Sequence, residues 1–384
     1  MSATHGLGAP PGLPPAAWVL ALAGMSGMGP VRLGALLERW PPEDAWRRIV
    51  AGDVHRDPEV VAAARGLDVR LGERWRREAV AIDVGERWAA HVAAGVEVTA
   101  RCSAGFPPAL VDDPEPPAVL FHRGRIDALE RPRVAVVGTR RCTYAGRATA
   151  FELGRDLAGA GVCVLSGLAA GIDGEAHRGA LEAAAAAPVA IVGTGLDVVY
   201  PRKNAALWAG VAAVGCLLSE YPLGTHAEPW RFPARNRIIA GLADVVVVVE
   251  SHARGGSMHT VDAALERDTP VMAVPGPVRS PASAGTNDLL AAGSAPVRDA
   301  GDVLVALGLD ASAARRGGTD TRTPPDAEAA AILEAVGWQP ATIEEVVARV
   351  GAPLGQVALS LSQLEHGGWL TRHGSWVERT AEVR

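Results

Sequence analysis

At 384 residues the chain has room for about two or three domains. Its 48% hydrophobic and 21% charged residues describe a globular protein with a substantial core. A formal net charge of -6 and a pI near 6.0 exclude a bulk-basic nucleic-acid coat, so any polyanion site must be a local patch.

Residues 1–17 are rich in Pro and Gly and read as loose. A helical region follows from Ala17 to Gly95, so residues 1–100 are expected to form an N-terminal helical domain. Its apolar stretch Trp18 to Met25 is too short for a signal or membrane helix. Within it, Gly27-Met28-Gly29 joins two helical patterns. This turn admits two readings: a helix-hairpin-helix (SAM-like) element holding a DNA phosphate on its amides, or a plain packing hairpin. Residues 101–132 carry Pro107, Pro108, Pro114, Pro116, Pro117 and Pro132 and read as a connector.

From Arg133 the pattern changes. Val134–Val137, Val162–Leu165, Val189–Val192, Cys216–Ser219, Val245–Val249 and Val271–Val274 read as strands alternating with Ala/Leu-rich helices. This predicts an α/β Rossmann-like core over 133–308, a parallel sheet covered on both faces. Ligands of such sheets sit beyond the carboxyl ends of the strands. A Gly/Arg/Thr linker over 309–325 leads to a unit over 326–384. There Glu328 to Val336, Thr342 to Val350 and Leu354 to His366 read as helices and Trp369 to Val377 as a hairpin, a winged-helix pattern. Thr342 with Glu345 three residues on predicts a capping box.

The chemistry-bearing residues gather after the predicted core strands. Gly138, Thr139, Arg140 and Arg141 follow the first, and two guanidiniums are expected to project there. Ser166, Gly167 and Gly171 follow the second, where glycines let backbone approach a bulky anion. Gly193-Thr-Gly-Leu-Asp197 follows the third, with Lys203, the only lysine, close behind. Gly256 and Ser257 lie beyond Glu250. Arg231 precedes Arg235, Asn236 and Arg237, which read as a helix start, where cations oppose the helix dipole unless an anion or an acid such as Glu220 compensates. No loop has the full G-x-G-x-x-G spacing, no P-loop is present, and the four cysteines, Cys102, Cys142, Cys163 and Cys216, form no CxxC pair. Neither a nucleotide cofactor nor a metal is therefore expected, and the unpaired cysteines suit a reducing cytoplasm.

Val134-Ala-Val-Val-Gly-Thr-Arg-Arg141, Ser166-Gly-Leu-Ala-Ala-Gly-Ile-Asp173, Gly193-Thr-Gly-Leu-Asp-Val-Val-Tyr-Pro201, Leu218-Ser-Glu-Tyr-Pro222, Phe232-Pro-Ala-Arg-Asn-Arg-Ile-Ile-Ala-Gly-Leu242 and Ala273-Val-Pro-Gly276 resemble, in this order, the DprA/Smf family of DNA-processing proteins. The resemblance covers 133–308 densely and the flanking units more loosely. Ala170 departs from the Arg often found there, and Gly255-Gly-Ser-Met258 from the usual S-G-S-L. The resemblance implies a non-enzymatic, homodimeric binder of single-stranded DNA that loads RecA recombinase during natural transformation, displacing or cooperating with single-strand binding protein. It implies phosphate contacts from Arg140, Arg235 and Arg237, with Arg231 and Lys203 behind them, and stacking faces from Tyr200 and Trp230; Phe232 is a third such ring but reads first as a core residue.

A rival reading is a Rossmann-like nucleoside-monophosphate phosphoribohydrolase, whose P-G-G-x-G-T-x-x-E signature is echoed by Gly255-Gly-Ser-Met-His-Thr260. His259 breaks it, and the expected Glu is missing. A transcription regulator acting through the winged helix is disfavoured by charge. Residues 326–384 carry four arginines against eight acids, and the helix over Leu354 to His366 has no Lys or Arg.

Overall fold

The β-branched runs build the parallel part of one large sheet. The computed structural model describes residues 12–101, 103–183, 185–310 and 322–380. Among the described residues six α-helices come first: α1 (Pro15–Ala23), α2 (Pro30–Arg39), α3 (Pro42–Ala51), α4 (Pro58–Ala63), α5 (Val69–Ala81) and α6 (Val84–Ala93). There follow β1 (Glu97–Ala100), β2 (Val119–Gly124), β3 (Arg133–Val137), α7 (Tyr144–Gly159), β4 (Cys163–Ser166), α8 (Ile172–Glu182), β5 (Val189–Val192), α9 (Ala205–Val214) and β6 (Cys216–Ser219). The sheet is completed through α10 (Arg231–Leu242), β7 (Val245–Val248), α11 (Met258–Leu265), β8 (Val271–Ala273), α12 (Ala284–Ala291), β9 (Ala295–Pro296) and α13 (Ala300–Ala306). Among the described residues its order is β1-β2-β6-β5-β4-β3-β7-β8-β9. The strands from β6 to β9 pair in parallel, whereas β2 runs antiparallel to β6 and β1 antiparallel to β2.

The strand order reverses between β3 and β7, which creates a topological switch point at their carboxyl ends. All four valines of β7 are buried, as an unbroken apolar run requires when helices cover both faces. On one face α7 and α8 cross in close contact. A Cβ at Gly154 would strike the Ala176 carbonyl and one at Gly179 the Phe151 carbonyl. Small residues at both positions permit the crossing, which presses α8 onto β3 and β4.

The segment read as a connector is part of the sheet. β2 lies between β1 and β6, with Val119, Leu120 and Phe121 buried. Asp113 is fastened to Arg267 by two hydrogen bonds of 2.7 Å, both side chains being buried. The prolines flank the short apolar run and hide its strand character. The N-terminal helices share a core with this side of the sheet, where Trp18, Leu22 and Leu36 belong to one cluster with Phe121, Val192, Trp208 and Leu217. The Gly27-Met28-Gly29 turn is braced from within. The Ser26 amide donates to the Glu78 carboxylate (2.8 Å), Trp75 Nε1 to the Ser26 carbonyl (3.0 Å) and Arg32 Nη1 to the Gly27 carbonyl (2.6 Å). A carboxylate on the turn opposes a phosphate there, which favours the packing-hairpin reading.

The chain divides into two compact units, residues 1–314 and 315–384. The second is the winged helix: α14 (Ala327–Val336), β10 (Ala341–Thr342), α15 (Ile343–Val350), α16 (Leu354–His366), β11 (Leu370–His373) and β12 (Trp376–Arg379). Its own core includes Ile332, Leu333, Val346, Leu361 and Val377. The Thr342–Glu345 capping box is present in both directions. Most of the expected linker, residues 311–321, lies outside the described residues. Among the described residues, no helix is long and apolar enough to cross a membrane.

Candidate nucleic-acid interface

Parallel strands bring the loops after β3, β4, β5 and β7 to one edge of the sheet. Gly138 leaves β3 where a Cβ would collide with Ile172 and the Glu250 carbonyl. The Thr139 amide donates to that carbonyl (2.7 Å), and the Thr139 hydroxyl accepts the Arg141 amide (3.2 Å). Arg140 and Arg141 are thereby turned out and are exposed at the switch point. Gly171 has φ +79° and sits where any side chain would meet the Thr139 carbonyl, so the β4 loop can close against the β3 loop. The Ile172 amide completes that contact, donating to the Thr139 carbonyl at 3.3 Å.

Asn204, buried, donates from Nδ2 to the carbonyls of Leu168 (2.9 Å) and Ala169 (3.0 Å). This fastens the short 3-10 turn Arg202–Asn204 to the β4 loop and presents Arg202 and Lys203, both exposed, at the same edge. Tyr200, just before them, lies against Phe232 with ring centroids 5.2 Å apart. The Arg140 guanidinium sits over the same Phe232 ring, 5.0 Å from its centroid. One cation and two aromatic faces thus form a platform on an edge that also carries Arg141, Arg202 and Lys203.

Several expected site residues turn inward. Arg235 is 4% exposed. Its Nη1 donates to the Ile191 carbonyl and its Nε to Asn236 Oδ1 (3.1 Å), and its charge faces Asp173. Burial lowers its pKa to about 10, so it remains a cation at neutral pH, and burial raises that of Asp173. Asp173 also accepts the Gly167 amide (3.1 Å), which removes that amide from a ligand. Arg237 Nη2 donates to both oxygens of Glu220 at 2.7 Å, and the two side chains are 11% and 9% exposed. The internal partner is therefore Glu220, whose carboxyl pKa is raised by burial despite the neighbouring cation.

The reason for these corrections is the position of α10. It begins at Arg231, so Arg235 and Arg237 stand between one and two turns inside it and face the sheet and Glu220. Ser166 and Ser257 are also internal: their hydroxyls donate to the Val136 carbonyl (2.7 Å) and to Ser251 Oγ (2.8 Å). Asn236 is half-buried with Nδ2 toward the Gly256 carbonyl (3.4 Å), and Gly256 is exposed. Arg231 is mostly buried between Tyr221 and Trp230, 5.1 and 5.0 Å from their centroids, and its Nη1 donates to the His226 carbonyl. Arg202 was not among the expected site residues; its signal was adjacency to Lys203 in a turn after a strand.

A groove of about 1140 Å³ lies between the N-terminal helices and α10. Its lining carries as many carboxylates, such as Glu38, Asp262 and Glu266, as arginines, such as Arg32, Arg65 and Arg101, a balance that does not favour a polyanion. At the switch point itself the amino end of α7 meets the Glu250 carboxylate, which accepts the Thr143 amide (2.9 Å) and hydroxyl (2.5 Å). In dinucleotide-binding sheets this place holds a phosphate.

Residues 97–308 match the family model described as DNA recombination-mediator protein A, and residues 318–375 match the DprA winged helix domain. Protein Smf of Escherichia coli K12 is 35% identical over 271 residues, 69% of this chain and 72% of that protein. The X-ray structure of DNA processing protein A from Streptococcus pneumoniae aligns with TM-score 0.63 at 30% identity, covering 76% of this chain and 98% of that one. DNA processing protein A from Helicobacter pylori, studied for its single-stranded DNA binding mode, aligns with TM-score 0.51 at 29% identity, covering 55% and 95%. The motifs in order, the Rossmann-like sheet and the winged helix agree with the family match, and the chain belongs to the DprA/Smf family of DNA-processing proteins.

Proposed function

We propose that this chain binds single-stranded DNA along the carboxyl edge of its sheet, with little sequence preference, and presents it to RecA recombinase in DNA processing during transformation. The observation that carries the reading is the Arg140–Phe232–Tyr200 platform beside exposed Arg141, Arg202 and Lys203. Guanidinium and ammonium groups meet phosphates while the rings take bases of any identity. Single-stranded DNA binding by the Helicobacter pylori relative and the family membership support single-strand binding here. Among the described residues no groove-reading element projects from this edge, so single strands should be preferred over duplex. The RecA step, cooperation with single-strand binding protein and a homodimeric state are proposed on family grounds. No catalytic step is assigned, and no observation favours the phosphoribohydrolase reading.

The test is binding of matched single- and double-stranded oligonucleotides across a salt series. Single-strand affinity is expected to exceed duplex affinity and to fall steeply with salt. Equal or tighter duplex binding at every salt concentration would overturn the proposal. Stimulation of RecA filament formation on strands coated with single-strand binding protein tests the later step, and sedimentation the dimer.

A further inference from the structure

We infer that Glu250 is the resident anion of the sheet's switch point and that it sets the Arg140–Arg141 loop in position. The inference rests on the single-strand reading above for its functional consequence. Glu250 follows the buried switch strand β7 directly and is itself 7% exposed. It holds the neighbouring loop at both ends. Its carbonyl accepts the Thr139 amide at 2.7 Å, and its carboxylate accepts the Thr143 amide at 2.9 Å and the Thr143 hydroxyl at 2.5 Å. The two exposed arginines lie between those anchors.

The carboxylate also governs α7. Thr143 is its N-cap, and the Thr143 hydroxyl that donates to Glu250 accepts the Gly146 amide (3.0 Å). A Cβ at Gly146 would collide with the carboxylate, so the helix start is shaped around it. A negative charge at this helix start is favoured by the dipole. The same place in dinucleotide-binding sheets is filled by a phosphate of the ligand. Here the protein supplies the anion, which closes the slot to a nucleotide and leaves DNA phosphate to be met by side chains on the rim. Glu250 is accordingly a positioning residue that touches the arginine loop and not the strand.

The experiment uses the full-length protein with a fluorescent oligothymidine, comparing Glu250→Ala, Glu250→Gln, Arg140→Ala/Arg141→Ala and the combination of Glu250→Ala with both arginine changes. Glu250→Ala is expected to weaken binding roughly tenfold. In the background lacking both arginines it should add no more than about a twofold loss, because residues acting through one another do not add. Glu250→Gln keeps an acceptor for the Thr143 amide but loses the charge, so it should bind between wild type and Glu250→Ala. Wild-type affinity in a folded Glu250→Ala protein, or a full tenfold loss in the arginine-free background, would overturn the inference. Amide exchange at Thr143, whose amide the carboxylate holds, separates the two proposals, with Thr139, held by the backbone carbonyl that Ala keeps, as the internal reference. If the arginine changes leave binding intact, the placement of DNA has failed. Faster exchange in Glu250→Ala then still supports its hold on the loop, and unchanged exchange refutes it.

Discussion

Arg235→Ala separates an internal role from a DNA contact at this position. The guanidinium is 4% exposed, faces the buried Asp173 and donates to the Ile191 carbonyl. Removing it leaves a buried carboxylate supported by the Gly167 amide and the more distant Arg140 charge, and breaking such a pair costs about 3–5 kcal/mol. For a cooperative unit of this size each kcal/mol lowers Tm by roughly 2–4 °C, so a fall on the order of 10 °C is expected. Scanning calorimetry reads it directly. Arg235→Met combined with Asp173→Asn, which removes both charges, should recover much of the loss. Binding isotherms on the folded protein should retain the wild-type salt slope, because no phosphate contact is removed. A variant with unchanged Tm and a shallower salt slope would refute this account and place the guanidinium on the strand.

Arg140→Ala should behave in the opposite way, with Tm nearly unchanged, affinity for oligothymidine about tenfold or more lower, and the salt slope reduced by roughly 0.7. An unchanged slope would remove Arg140 from the interface. Arg237→Ala leaves Glu220 buried without its cation and should destabilise by about 3–5 kcal/mol, measured by denaturant unfolding. Acid should destabilise the core through His177. It is fully buried, its Nε2 donates to the Val189 carbonyl (3.3 Å), and burial lowers its pKa from 6.5 to about 4. The unfolded chain therefore takes up a proton that the folded one refuses. The penalty is absent above pH 6.5 and grows to about 3 kcal/mol as pH falls to 4. His177→Asn should flatten that part of the pH profile, measured by urea unfolding. Deleting residues 320–384 should leave single-strand affinity within about tenfold, since α16 carries no Lys or Arg; a larger loss in a folded truncation would relocate the binding surface.

The alternation of β-branched runs and helical stretches determined six strands of the sheet within a residue or so, since a buried parallel strand has to be apolar throughout. The capping box and the helical stretches ending at Val336 and Val350 likewise determined the winged helix. Local chemistry also placed Arg140, Arg141 and Lys203 beyond strand ends, and there they are exposed. The insertion of β2 depended on pairing with residues nearly a hundred positions away, against a proline-rich background. The fate of Arg235 and Arg237 depended on where α10 begins and which of its faces meets the sheet. A two-residue shift turns a helical side chain by about half a circle, and the motif alone does not fix it. Nothing in the sequence around Glu250 distinguishes it from an ordinary acid after a strand. Only the parallel pairing of β3 with β7 sets its carboxylate at the start of α7, where a helix dipole and a threonine cap make it the anion of the site.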